Sequence, residues 1–438
     1  MRPVELMEVL EAREWRVRRQ QELLRTYGCP LISFTMNIAG PIKNSDEITW
    51  GFQYGSGLLL RQLERVKAPI LHRESSSDVT GNEALFVVDF APDRLKALMV
   101  ELEDHLEIGR LFDMDVLDPD GQKLERSSER CCIICGAPGK GCARSRAHSV
   151  AALQERTAAV LKCAREQWEA EIAGELACRA LLYEACTTPK PGLVDCANSG
   201  SHRDMDLFTF LSSAAALQPY FSECTQIGIQ TANLPPDETF ARLRWPGKKA
   251  ELRMLNATNG INTHKGAIFT LGVLCGALGR LSSKTWKDPA AILRECAAMT
   301  AGLSDRELKT VRCGETAGER LYLQFGTFGI RGQIEAGLPA VSQIGLPALE
   351  KQLASGKTLE EAGCFALVAL MSAVEDTNVL NRGGMEAQKW VFEQAAEISS
   401  VDDLKMLDAA MIAKNLSPGG AADLLAVCYF LHFLKNAI

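Results

Sequence analysis

Hydrophobic and polar positions mark three short strand-like runs within the first third of the chain, the first of them alternating. PLISFTMNIA (residues 30–39), ALFVVDF (84–90) and GRLFDMDVL (109–117) are rich in β-branched and large apolar residues, and each predicts a strand. Between them the pattern is helical. Pro3–Tyr27 predicts an amphipathic helix with Leu6, Leu10, Val17 and Leu24 inward and Arg16, Arg18, Arg19 and Arg25 on a wet face. Ile48–Arg65 reads as a passage from strand to helix, and Asp93–Leu106 as a helix. Beyond Ser149 no segment alternates. Ser149–Cys186 is dominated by Ala, Leu and Glu and holds no proline, with Gly174 as a candidate break.

Further helical patterns follow at Met205–Gln230, Pro236–Ala257, His264–Leu281, Ala290–Gly302, Ser304–Phe325, Pro339–Ser355, Leu359–Asp376, Gly384–Ile398, Val401–Leu416 and Ala421–Ala437. The expected architecture is therefore multidomain: a small α+β N-terminal domain over residues 1–165, then a larger all-α helical domain over 166–438, with a helical join near Arg165. No repeat of solenoid length is visible.

Composition narrows the class. With 438 residues, 47% hydrophobic and 24% charged, the chain has the profile of a globular protein. A net charge of −7 without a strongly basic half argues against general nucleic-acid binding. The longest apolar run, near Ala267–Leu278, carries glycines and is too short to span a membrane. The opening residues are charged rather than signal-like, and the 15 cysteines are scattered mostly singly, which predicts a reducing, cytoplasmic setting.

The candidate chemistry lies in two groups of loops. On the third strand, Asp113 and Asp115 are two apart and so share a face, an arrangement that suits Mg²⁺ held against a di- or triphosphate. The alternative is a polar strand face that is merely wet. Downstream, Cys132, Cys135, Cys142 and His148 have the residue types of a tetrahedral zinc site, or are reduced thiols packing a tight loop. No acidic residue occurs between Arg130 and Gln154, so Arg130, Lys140, Arg144 and Arg146 make a local basic patch for an anionic ligand or an acidic partner.

In the helical half the breaker-rich stretch TPKPGLVDCANSGSHRDMD (188–206) gathers Lys190, Asp195, His202, Arg203, Asp204 and Asp206. Four further loops pair glycines with charge. NGINTHKG presents Asn262, His264 and Lys265 at a helix start, with Thr263 as the expected N-cap. GTFGIRG brackets Arg331. EDTNVLNRGG carries Asp376, Arg382, Gly383 and Gly384, and SPGGAAD carries Gly419, Gly420 and Asp423. Two acidic residues at separate helix ends, Asp376 and Asp423, are candidates to share a Mg²⁺. Together these loops predict one nucleotide pocket built from helix termini.

TPKPGLVD, NSGSHRDM and GINTHKGAIFTLG resemble triphosphoribosyl-dephospho-CoA synthase, from roughly Arg165 to the C-terminus. GRLFDMDV with R-x-C-x-I-C and CARSR-x-H resembles holo-citrate lyase synthase, over roughly Glu14 to Arg156. The resemblance implies a bifunctional transferase with ATP and dephospho-CoA as substrates. The C-terminal domain would make triphosphoribosyl-dephospho-CoA and release adenine by one inverting displacement. The N-terminal domain would attach phosphoribosyl-dephospho-CoA to a serine of the citrate lyase acyl carrier subunit and release pyrophosphate.

Inverting chemistry at a sugar wants a carboxylate base and a leaving-group donor. The expected bases are Asp195 and Asp204, and the expected donors His202 or His264. Lys190, Lys265, Arg331 and Arg382 are expected on phosphates, and Arg144 and Arg146 on the acidic carrier. Two other readings are the same chemistry serving malonate decarboxylase, and a carrier-binding assembly factor without catalysis.

Overall fold

The computed structural model describes residues 2–309, 311, 314 and 317–437. It divides into two compact units, Met1–Glu166 and Gln167–Ile438, with the boundary inside one helix, α5 (Val150–Cys186).

The first unit contains α1 (Leu6–Tyr27), β1 (Leu31–Met36), α2 (Asp46–Arg65), β2 (Ile70–Asp78), β3 (Gly81–Val88), α3 (Pro92–His105), β4 (Phe112–Leu117) and α4 (Gly139–Ser145). Its antiparallel sheet has the order β2-β3-β1-β4, so β2 and β4 are the edges. Alternation decides the faces. Ile32 and Phe34 of β1, Phe86 and Val88 of β3, and Met114 and Val116 of β4 enter a core with α2 and α3. On the other face Leu31, Leu85 and Val87 pack against Leu23 and Leu24 of α1.

Three expectations need correction here. The region 48–65 is helical throughout, capped by Ser45 Oγ, which accepts from the Ile48 N–H. Of the residues expected inward on α1, Leu24 is buried, whereas Leu6, Leu10 and Val17 are exposed. The α1 arginines are not all solvated: Arg16 pairs with Glu83, and Arg19 with Glu22 and Glu74. The strand β2 (ILHRESSSD) was not expected, because an exposed edge strand has little apolar alternation to show.

The second unit is helical: the end of α5, then α6 (Leu207–Gln230), α7 (Pro236–Ala257), α8 (Lys265–Arg280), α9 (Pro289–Thr300), α10 (Leu303–Glu307), α11 (Ala317–Phe325), α12 (Gly329–Glu335), α13 (Leu346–Ala354), α14 (Leu359–Met371), α15 (Thr377–Ala396), α16 (Val401–Ala413) and α17 (Gly419–Ala437). The helices α8 and α17 lie at the centre, with Leu271, Leu274, Cys275, Leu425, Val427 and Phe430 fully enclosed. No described helix is long and apolar enough to cross a membrane.

Gly174 does not break α5. It lets α6 approach, because a Cβ there would meet the Ser222 side chain and backbone. Ser304–Phe325 is not one helix: α10 ends at Glu307, α11 begins at Ala317, and part of the interval lies outside the described residues. The GTFGIRG loop opens the short helix α12, and α15 is kinked at Gly384 (φ 68°, ψ −165°).

Candidate active sites

In the N-terminal unit a cleft of about 1220 Å³ runs along the free edge of β4. Asp113 and Asp115 stand on one face of β4, opposite Thr35 and Ser33 of β1, while their neighbours Phe112, Met114 and Val116 are buried. Both carboxylates reach the cleft, with 47% and 28% of their side chains exposed. Lys123 donates to Asp115 Oδ2 at 2.6 Å, and Arg130 lies 3.9 Å from Asp113.

Side chains saturate the strand edge itself. Glu103 Oε1 accepts from the Met114 N–H at 2.7 Å, Lys96 Nζ donates to the Met114 carbonyl at 3.4 Å, and Arg130 donates to the Phe112 carbonyl at 2.5 Å. Glu103 is 2% exposed and pairs with Arg130, while its Oε2 lacks a hydrogen-bond partner. Burial pushes the Lys96 ammonium below its ordinary pKa, against the pull of Glu103 and Asp115. Arg110, Arg126, Lys140 and Arg146 complete a cationic rim around the aspartate pair.

Lys96 and Glu103 were not singled out in the sequence. Their signal, two ionisable residues on the apolar stripe of α3, is an ordinary feature of amphipathic helices. Cys132, Cys142 and His148 line the same cleft, and the donor atoms of Cys132, Cys135, Cys142 and His148 lie within 4.8 Å of one another.

In the C-terminal unit a smaller cavity of about 290 Å³ gathers the five loops. The N-termini of α8 (Lys265, Gly266), α15 (Thr377, Asn378) and α17 (Gly419, Gly420) all open onto it, and unpaired helical N–H groups make such ends attractive to anions. Lys190 is 1% exposed and pairs with Glu184, donating also to the Glu184 carbonyl at 2.7 Å. Lys265 reaches Glu251 at 2.8 Å. Arg382 donates to the carbonyls of Ser201 (2.9 Å) and Asn415 (3.2 Å) and contacts His202 Nδ1 at 3.4 Å. His202 Nε2 lies 2.9 Å from Ser417 Oγ, and burial, with the Arg382 charge, lowers its pKa.

His264, 2% exposed, is the N-cap residue of α8 in place of the expected Thr263. Thr263 Oγ1 instead donates to Ser213 Oγ at 2.8 Å, and Ser213 Oγ lies 2.7 Å from His264 Nδ1. Ser213 Oγ can accept from Nδ1–H or donate to Nδ1, and in the second arrangement the imidazole proton sits on Nε2. Nε2 is buried, lacks a partner and belongs to a ring that lines the cavity. Burial, with the Lys190 charge, pulls the His264 pKa down to about 3, so the ring is neutral.

The carboxylates of Glu184 and Asp423 line the same cavity, whereas Asp376, expected beside Asp423, is not among the lining residues. Asp376 caps α15, accepting from Asn378 N–H (2.8 Å) and Val379 N–H (3.3 Å), and binds the start of α17 through Ala421 N–H (2.9 Å). Asp423, in the first turn of α17, sits over the start of α8, where a Cβ on Gly266 would strike its carboxylate. Burial, then the charges of Glu184 and Asp376, push the Asp423 pKa well above the usual carboxylate range. Glu184 was missed in the sequence, because nothing distinguishes one glutamate in an uninterrupted Ala/Leu/Glu helix.

Other expected site residues fall elsewhere. Asp195 is 3% exposed, and its carboxylate accepts from the N–H groups of Lys190, Ala197 and Asn198, so it organises the loop. Asp204 is exposed and is not among the cavity walls. Arg331 turns from the cavity to Glu307 at 2.9 Å, while its neighbours Gly329 and Ile330 line the wall. Gly383 and Gly384 form the α15 kink outside the lining, whereas Asn262, Gly419 and Gly420 are part of it.

Comparison with known proteins agrees with this division. Residues 4–164 match the family described as apo-citrate lyase phosphoribosyl-dephospho-CoA transferase, and residues 170–438 the family described as ATP:dephospho-CoA triphosphoribosyl transferase. "Protein CitXG" of Haemophilus influenzae is 35% identical over 99% of this chain and 97% of its own length. "Protein CitXG" of Leuconostoc mesenteroides is 32% identical over 99% and 98%. The 2-(5''-triphosphoribosyl)-3'-dephosphocoenzyme-A synthase of Pectobacterium atrosepticum is 43% identical over 58% of this chain and 86% of its own length.

Proposed function

The chain belongs to the CitXG family, a phosphoribosyl-dephospho-CoA transferase followed by a triphosphoribosyl transferase, and from that premise we propose how its residues divide the work. The protein is a bifunctional transferase that builds and attaches the citrate lyase prosthetic group. ATP and dephospho-CoA give triphosphoribosyl-dephospho-CoA and adenine, and the phosphoribosyl-dephospho-CoA part then passes to a serine of the citrate lyase acyl carrier protein with release of pyrophosphate.

One observation carries the assignment of the first reaction. His264 offers a buried, unpaired Nε2 in a cavity that also holds three helix N-termini, Lys190 and the carboxylates of Glu184 and Asp423. At 290 Å³ the cavity is at the small end for a ligand pocket, so it takes the reacting ends of the two substrates rather than their whole length. The helix ends, Lys265 and Arg382 bind phosphate oxygens, and Lys190 holds Glu184 in place. His264, neutral and protonated on Nε2, donates to adenine as the glycosidic bond breaks. Asp423 lines the cavity and has the chemistry to hold Mg²⁺ against a polyphosphate, whereas Asp376, committed to the N–H groups that start α15 and α17 and absent from the lining, positions those helix ends. Bound there, Mg²⁺ supplies charge neutralisation for the triphosphate.

For the second reaction, Asp113 and Asp115 stand accessible and paired on a rigid strand, which fits a Mg²⁺ site facing a triphosphate. The cationic rim of Lys123, Arg130, Lys140 and Arg146 holds the departing pyrophosphate, and the outer basic residue Arg144 meets the acidic carrier. The free thiols and the chemistry of the substrates support a cytoplasmic setting.

The test is adenine release from purified protein with ATP, Mg²⁺ and dephospho-CoA, followed by addition of apo-carrier protein. Adenine release that depends on dephospho-CoA, followed by a gain in carrier mass, is expected. Adenine release unaffected by replacing His264 would remove it from the reaction.

A further inference from the structure

The wall of the N-terminal cleft contains a stretch with no core of its own. From Cys131 to Val150 not one residue is buried. The stretch nevertheless holds a defined shape, with a bridge between Cys131 and Pro138, the helix α4 and a left-handed turn at Arg146. A segment with no fully buried residue, anchored to the domain core by the partly buried Ile133, has little of the usual source of tertiary stability, and small coreless folds are commonly held by a metal or a disulfide.

The four donors are arranged for the metal. Cys132-Ile133-Ile134-Cys135-Gly136 folds as a tight knuckle. The Gly136 N–H donates to the Cys132 carbonyl at 3.0 Å, and the Cys132 N–H to the Ala137 carbonyl at 2.6 Å. Gly136 has φ 73°, a left-handed conformation that glycine adopts without strain. Cys142 projects from α4, and His148 stands just before α5.

Cys135 Sγ lies 3.4 Å from Cys142 Sγ and 3.3 Å from His148 Nε2, and the whole set lies within 4.8 Å. With the usual Zn–S and Zn–N bond lengths, a tetrahedral site has edges of about 3.6 to 3.8 Å, so small shifts would seat the ion. A disulfide would use two of the three sulfurs and leave the third thiol and His148 without a role.

We propose that Cys132, Cys135, Cys142 and His148 bind one structural zinc ion, and that this ion fixes the cleft wall that carries Lys140 and Arg146. Binding deprotonates the thiols and releases their protons to solvent, with no change of oxidation state. All four positions are filled by protein, so the ion is closed to substrate, as structural zinc sites are.

The experiment uses the full-length chain, expressed with zinc and purified without chelator. Elemental analysis is expected to give about one zinc per chain, lost in Cys135→Ser and in Cys142→Ser. Trypsin then reads the wall directly, since it cuts after Lys140, Arg144 and Arg146. Cleavage there is expected to be roughly tenfold faster in either variant and in chelated wild type, and to slow again when zinc is restored to wild type. Adenine release by the variants serves as the folding control and is expected to be retained.

A wild-type chain without zinc whose wall resists trypsin would overturn the proposal. So would a Cys135–Cys142 disulfide found by mass after alkylation without reduction, or identical cleavage of the zinc-bound and zinc-free chains.

Discussion

In the N-terminal cleft the paired carboxylates stay wet: Asp113 and Asp115 keep 47% and 28% of their side chains exposed, each beside a cation. In the C-terminal cavity the inner ionisable groups are sealed, Glu184, Lys190 and His264 being 3%, 1% and 2% exposed, while Lys265 and Arg382 are exposed. The volumes differ in the same direction, about 1220 against 290 Å³. An open site of ion pairs loses little when water leaves, and it can admit a serine on the surface of another protein. A sealed site makes each electrostatic contact stronger, but admits only the ends of small molecules. The two sites thus match the two acceptors, a carrier protein and a ribose hydroxyl.

The largest effect expected from breaking this contrast is at the open site. Asp113→Asn combined with Asp115→Asn is expected to lower transfer to the carrier roughly a thousandfold, with adenine release unchanged, as measured by carrier mass and adenine chromatography. Next comes His264→Gln, expected to cut adenine release about a hundredfold while carrier labelling from preformed triphosphoribosyl-dephospho-CoA stays intact. Lys265→Ala, at a cavity mouth already rich in helix N-termini, is expected to raise KM for ATP by roughly tenfold, with a smaller change in kcat.

The pH dependence sharpens the contrast further. His264 is neutral in the fold down to about pH 3, whereas the unfolded chain takes up that proton near pH 6.5. Its contribution to stability is therefore present above pH 6.5 and is lost as pH falls toward 3. Asp376 and Asp423, whose pKa values are raised, act in the opposite sense. Subtracting the denaturation curves of His264→Gln from those of wild type isolates the histidine, and the difference is expected to shrink on acidification. The smallest effect is expected at Arg331→Ala. It removes a partly exposed pair with Glu307, worth about 0.2–1 kcal/mol by urea denaturation, and should leave adenine release intact.

Much of this was legible in the residues. Alternation located β1, a short apolar run located β3, and the D-x-D spacing put both carboxylates on one face of β4. The four glycine-and-charge loops of the helical half were expected to form one pocket, and all four contribute to it, joined by the 188–206 stretch. What the pattern hid was the destination of individual side chains. Asp195 and Asp423 look alike in sequence, each an acid near glycine in a loop or helix entry. Three backbone N–H groups engage the first, whereas the second faces two other carboxylates. Glu184 and Glu103 sit on helices whose periodicity speaks only of packing. The edge strand β2 hid for the opposite reason, since it packs almost nothing.

Gly266 and Gly420 carry no side chain to offer a ligand, yet both are constrained by the carboxylates beside them. A methyl group at the first would strike the Asp423 carboxylate, and one at the second would come within 2.9 Å of Asp376 Oδ2. A lineage that lost the first reaction would therefore be free to accept alanine at either position while every acid and histidine remained in place. In a divergent relative, an intact set of chemical groups is weaker testimony to a working pocket than the two missing side chains.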